Sequence, residues 1–378
     1  MQEFIQFKIF LNCSFQLTMK ILTDTLLSQF IQDNHRTHRD GLDLQTFIQP
    51  ASLDLPVGAK IYHVKHPFLA FNHTVQYITD HLCVQKLDCT SGCTLYKQQT
   101  YLIPCAKISV PHDHQWRISP KSSLGRIDVH IRAMIDHGKC YDFLPANTDS
   151  VVWLQVTPQS FNIHLTAWQT LTQIMIGKIE DCETKISTSP PQVLYTHDAT
   201  PLSQTIIDDH LLISTSIPNP SHHTLTVWYK ARTTDEIIDL NTIRGHAPHR
   251  FFDELIISWW GDWWKVNLEK WRFYILASKE YFQVPLEYSL ELLPSSHLIG
   301  EMRAHYAWFF DPGFGLDCPA QGVLEVRPYE DMIIYDWQPI CLIKIFENLQ
   351  NPSKWYGKAK VANNYQWQSG AKLAKYFG

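Results

Sequence analysis

The chain has 378 residues, enough for about two domains of ordinary size, and 45% of them are apolar against 18% charged, with 13 Trp, 16 Tyr and 19 Phe. This composition excludes an intrinsically disordered chain. A formal charge of −5 leaves no broad basic field for a nucleic-acid polymer, although a local nest of donors can still hold a single phosphate group.

The stretch "MQEFIQFKIFLNCSFQLTMK" at the start is mildly apolar, but Glu3 stands where a secretory signal carries positive charge, and no small-residue cleavage site follows. No run reaches the roughly 18 uninterrupted apolar residues of a membrane span. A soluble, cytoplasmic protein with no membrane partner is expected. Residues 1–45 read as a lead that is partly helical, with "MKILTDTLLSQF" opening a helix that Asp24 and Thr25 cap.

From about residue 46 the texture changes to short β-rich runs such as "KIYHV", "TYLIP", "VVWLQVTP" and "FNIHLT", separated by Pro, Asn, Asp and Gly. These define a first domain, 46–178. Nine cysteines without regular pairing point to reduced thiols. Cys83, Cys89 and Cys93 cluster in "CVQKLDCTSGC", but no fourth ligand completes a structural zinc spacing, so they read as ordinary thiols. Within this domain "PKSSLGR" (120–126) puts Lys121, two serines, Gly125 and Arg126 in one turn. Hydroxyls, backbone N–H groups and a charged fork at that density suit a phosphate.

The polar segment "KIEDCETKISTSPPQ" (178–192) falls in a linker, 179–205, and a second β-rich domain follows at 206–378. The halves echo each other. "LQVTPQSFNIHLTAWQ" (154–169) matches "LEVRPYEDMIIYDWQ" (324–338), "PKSSLG" matches "PSSHLIG" (294–300), "MIDHG" matches "FFDPG" (309–313), and "YLIPCAKISVP" matches "YILASKEYFQVP" (274–285). Four echoes in one order indicate a tandem duplication of an all-β domain, each copy a distorted barrel or jelly roll closed to hide its edges.

"QPASLDLPVG" (49–58), "PKSSLGR", "AHYAWFFDPGFG" (304–315), "GVLEVRP" (322–328) and "NYQWQSGAKLAKYF" (364–377) together resemble the superfamily of dCTP deaminases and dUTPases, most closely its tandem two-domain deaminases. The resemblance implies a mainly β fold of two dUTPase-like barrels after a short helical lead, working as a homo-oligomer in which each nucleotide lies between neighbouring barrels. It implies hydrolysis of dCTP to dUTP and ammonia. In the matching positions Glu325 is the catalytic acid and base, Arg126 with Ser122 and Ser123 faces it, and Lys121 and Gly125 belong to the phosphate side. Ala307 reads the pyrimidine edge, Asp311 takes the sugar 3′-hydroxyl, Phe314 packs under the deoxyribose, and Tyr356 and Gln368 in the tail reach the triphosphate. Asn364 replaces a lysine carried by related single-domain enzymes.

The losses in the two halves are complementary. The first half keeps the Ser-Ser-x-x-Arg segment but has Gln155 where the acid belongs, whereas the second keeps Glu325 but has His297 and no arginine in "PSSHLIGE". One pairing of the halves makes a complete site, and the converse pairing collects both defects. Zinc deaminases use an H-x-E and P-C-x-x-C framework that does not occur here. The resemblance implies catalysis with no metal ligand or cofactor, with Mg2+ arriving only on the triphosphate. Other readings stay open: a dUTP pyrophosphatase or bifunctional enzyme in which Asp311 activates water, an inactive nucleotide-binding relative, or a carbohydrate module built on "SWWGDWW" (258–264).

Overall fold

The structure is a computed structural model and describes residues 18–34, 41–180, 190–217, 228–255, 258–260, 263–293, 302–304, 309–358 and 364–378. The fold is mainly β, and the same strand order occurs in both halves. In the first, one sheet runs Lys60–Val64, Thr100–Ser109, Asp149–Pro158, Val129–Met134, and in the second the matching order is Tyr229–Ala231, Tyr274–Phe282, Ala320–Pro328, Met302–Ala304. A second pair matches Thr170–Glu180, His114–Pro120, Phe143–Leu144 with Pro339–Glu347, Tyr288–Leu293, Phe309–Phe310. The central strands Asp149–Pro158 and Ala320–Pro328 are apolar on successive residues and buried along most of their length, as strands covered on both faces must be. The edge strand Cys83–Asp88 instead exposes polar side chains, which blunts the edge.

The halves are built into each other. The strand Ile237–Asp239 of the second half pairs in parallel with Asn162–Leu165 of the first, and Lys97 holds Asp235 at 2.8 Å beside it. Buried residues of both halves join one continuous apolar cluster that includes Trp116, Phe161, Trp228 and Phe251. The lead participates as well: Thr18–Ile21 is a strand on Gly177–Glu180, and the helix Asp24–Asn34 follows it. Asp24 does not cap that helix as expected. Its carboxylate accepts from the backbone N–H groups of Ser353 at 2.8 Å and Lys354 at 3.1 Å, donors that the loop after the strand Pro339–Glu347 brings to it.

Two further expectations change. Cys89 and Cys93 are joined as a disulfide across the turn between them, with Cα atoms 5.0 Å apart, so the thiols are not all reduced; Cys83, Cys140, Cys318 and Cys341 are free thiols. The echo of "MIDHG" with "FFDPG" is displaced. Phe143 pairs with Arg117 and Phe309 with Glu291, and Arg117 and Glu291 each stand three residues before the proline of the serine segment. Asp311 therefore corresponds to Pro145 and has no acidic counterpart in the first half, where Asp136 binds the Val75 N–H at 2.7 Å. The second-half serine segment, with His297, lies outside the described residues, as do Ala307 and the side chains of "SWWGDWW".

Candidate active site

After Pro120 the chain turns once, over Ser122–Gly125. The N–H groups of Leu124 and Gly125 both donate to the Lys121 carbonyl, at 2.8 and 3.3 Å, and the Arg126 N–H donates to Ser122 at 3.1 Å. Gly125 thus spends on the turn the donor that was expected to serve a phosphate. The turn delivers Arg126 into the contact between the halves, where it is buried. From the other side comes Glu325 on Ala320–Pro328, also buried. Their side chains approach to 3.7 Å, Arg126 Nε to Glu325 Oε1.

Buried charges persist only when further polar partners surround them, and Arg126 has them. It donates to the Lys372 carbonyl at 2.7 Å and to Gln368 Oε1 at 3.1 Å, and its guanidinium lies 3.7 Å from the centre of the Tyr365 ring, a cation–π contact. All three partners belong to the C-terminal segment. Gln368 is fixed in turn by Gln321, whose carbonyl accepts from its side chain. Ser123 bonds the Tyr376 hydroxyl, and burial pushes that phenol above the ordinary tyrosine range.

A cavity of about 140 Å³ lies beside this contact, lined from the first half by Asp54, Lys121, Ser122, Ser123 and Arg126, and from the second by Asp311, Phe314, Tyr356, Tyr365, Gln368 and Lys375. Lys121 Nζ is paired with Asp54 and reaches Thr170 Oγ1 at 3.1 Å. Burial raises Asp54, and the Lys121 ammonium opposes that rise. Asp311 Oδ1 accepts from the Ala51 N–H at 3.2 Å; burial first, with the neighbouring Asp54 charge adding, pushes its carboxyl up to about 7. Phe314 packs 4.8 Å from Phe310 and 5.6 Å from Tyr356 between ring centres. Its turn needs glycine: Gly315 has φ +67°, and a Cβ there would meet the Phe282 carbonyl.

Of the residues expected from sequence, Lys121, Ser122, Ser123, Arg126, Asp311, Phe314, Tyr356 and Gln368 meet at this cavity, Glu325 adjoins it through Arg126, and Gly125 is not among the lining residues. Asp54, Tyr365 and Lys375 were not foreseen, although each sits inside a quoted motif. Gln155 has the place of Glu325 in the ladder, opposite Leu102 as Glu325 is opposite Ile275. Its side chain is occupied within its own half: Oε1 accepts from the Phe68 N–H at 2.8 Å, and Tyr141 bonds it as well.

Residues 18–180 match the model of the 2′-deoxycytidine 5′-triphosphate deaminase N-terminal domain, and residues 192–377 match that of its C-terminal domain. The chain belongs to the 2′-deoxycytidine 5′-triphosphate deaminase family. Among solved structures, a 2′-deoxycytidine 5′-triphosphate deaminase from Agrobacterium tumefaciens is similar to it, with 26% sequence identity over 89% of this chain and 100% of that one and a TM-score of 0.75. A comparison with curated proteins finds no match. No helix among the described residues is long and apolar enough to cross a membrane.

Proposed function

We propose that the chain deaminates dCTP to dUTP, with Glu325 as the proton shuttle and Arg126 and a serine hydroxyl opposite it. The observation that carries this is the approach of Arg126 to Glu325 across the two halves of one chain. Water adds to C4 of the cytosine while Glu325 takes its proton, and the proton passes to the ring nitrogen. Glu325 then carries the proton of the adduct hydroxyl to the amino group, and collapse forms the C4 carbonyl, breaks the carbon–nitrogen bond and releases ammonia. Arg126 already stands beside Glu325, so its charge is in place opposite the carboxylate before the reaction begins.

The cavity is smaller than the roughly 300 Å³ at which small-molecule pockets commonly begin, so binding requires part of the wall to yield. The C-terminal segment, which supplies Tyr365, Gln368 and Lys375 to that wall, is the part proposed to move. Magnesium would supply charge neutralisation on the phosphate oxygens. Asp54, the carboxylate beside Lys121, is already paired, which suits a metal carried by the nucleotide and reached through water. Chains are proposed to associate, although bringing Arg126 to Glu325 does not need a second chain.

A second reading has its own observation. Asp311, raised to about 7, is a carboxyl close to the operating range of a general base, as a pyrophosphatase acting on dUTP would need. Purified protein incubated separately with dCTP and with dUTP separates the two: ammonia with dUTP from dCTP supports deamination, dUMP with pyrophosphate from dUTP supports the second activity, and no product from either substrate removes both.

A further inference from the structure

The cations around the cavity differ in what they are already doing. Arg126 is committed to Glu325, Lys372, Gln368 and the Tyr365 ring. Lys121 is committed to Asp54 and Thr170. The Lys372 ammonium donates to the Asn364 carbonyl at 3.0 Å. Lys375 also lines the cavity, yet its ammonium has no hydrogen-bonded acceptor or carboxylate within salt-bridge distance among the described residues. It lies over the Tyr376 ring, 5.6 Å to the centre, and feels the Asp54 carboxylate only from beyond salt-bridge distance. The backbone holds Lys375 in place without using the side chain: its N–H donates to the Tyr365 hydroxyl at 3.3 Å, and its carbonyl accepts from Arg244 at 3.0 Å.

We infer that Lys375 is a ligand of the phosphate chain, taking the terminal phosphates while Lys121 and the serine turn hold the rest. This rests on the nucleotide reading of the cavity. A half-buried ammonium with idle donors beside a second cation is costly until an anion arrives. The direction of its titration agrees, since burial and then the Lys121 charge hold the Lys375 ammonium below the ordinary lysine range. A triphosphate supplies acceptor oxygens for those donors, and charge-assisted bonds of this kind are the strong ones. The interaction therefore discriminates by phosphate number: a monophosphate stops short of Lys375, whereas a triphosphate reaches it.

The test compares dCTP, dCMP and inorganic tripolyphosphate by calorimetry on the wild type, Lys375→Gln and Lys375→Arg. Lys375→Gln is expected to weaken dCTP and tripolyphosphate by about tenfold or more, to leave dCMP within about threefold, and to be largely restored by Lys375→Arg. Equal losses for dCTP and dCMP, or no loss for dCTP, overturn the assignment. A second measurement uses the wild type alone: tripolyphosphate should protect Lys375 from amine acylation, read by peptide mass spectrometry, and absence of protection also overturns it. If tripolyphosphate depends on Lys375 while dCTP yields no ammonia, the phosphate ligand stands and the deaminase reading falls.

Discussion

Asp128 of the first half and Arg327 of the second form an ion pair two residues beyond Arg126 and Glu325 on the same two segments, with the charges exchanged between the halves. Asp128 is fully buried and also accepts from Ser160 Oγ at 2.6 Å. A slip of two residues between these segments would set arginine against arginine, or aspartate against glutamate. The reversed polarity therefore holds the register in which Arg126 meets Glu325. Asp128→Asn and Arg327→Met should each cost about 3 kcal/mol, because each leaves a desolvated charge without its partner, and the double variant should cost less than their sum. Denaturant titration of the four chains measures this, and strict additivity would sink the pairing.

Glu325→Gln should lower ammonia release from dCTP by about a hundredfold or more while keeping dCTP binding within about tenfold, since it removes a proton acceptor and little volume. Arg126→Ala should damage both. It also withdraws the anchors at Lys372 and Gln368, so its tail should exchange amide hydrogens faster than that of Glu325→Gln. Wild-type turnover in Glu325→Gln would exclude Glu325 from the chemistry.

Because Arg126 and Glu325 meet within one chain, mixing the Arg126→Ala and Glu325→Gln proteins should recover no activity, as every site carries one of the lesions. Adding Gln155→Glu should rescue neither, since position 155 is bound to Phe68 in its own half. Recovery on mixing would mean that the halves pair between chains.

Asp311 sits at about 7 when folded, raised by burial from an ordinary 3.8. Between those values the folded chain keeps a proton that the unfolded chain has lost, so stability contributed by this group falls as pH rises through that window and is level above it. Asp311→Asn, which keeps an acceptor for the Ala51 N–H, should gain on the wild type by about 2–4 kcal/mol between pH 5 and pH 8. Thermal unfolding of both proteins at the two pH values is the check; a difference that does not change with pH would remove Asp311 as its cause.

Local pattern was enough to reveal the repeated β halves, the serine turn with Arg126, and Glu325 in a strand whose first-half counterpart carries Gln155, because strand periodicity, turn residues and motif order are properties of contiguous sequence. The long-range pairings were not legible in that way. Whether Arg126 meets Glu325 inside one chain, whether Ile237–Asp239 crosses to the first half, and whether Asp24 caps its helix or holds Ser353 and Lys354 depend on which surfaces the packed halves bring together. The same holds for the charges. Asp54, Asp311, Lys121 and Lys375 look alike in a sequence, and only the packing decides which is paired, which is desolvated to a titration near 7 and which keeps idle donors, because burial and distance set the energy of a charge and neither is written along the chain.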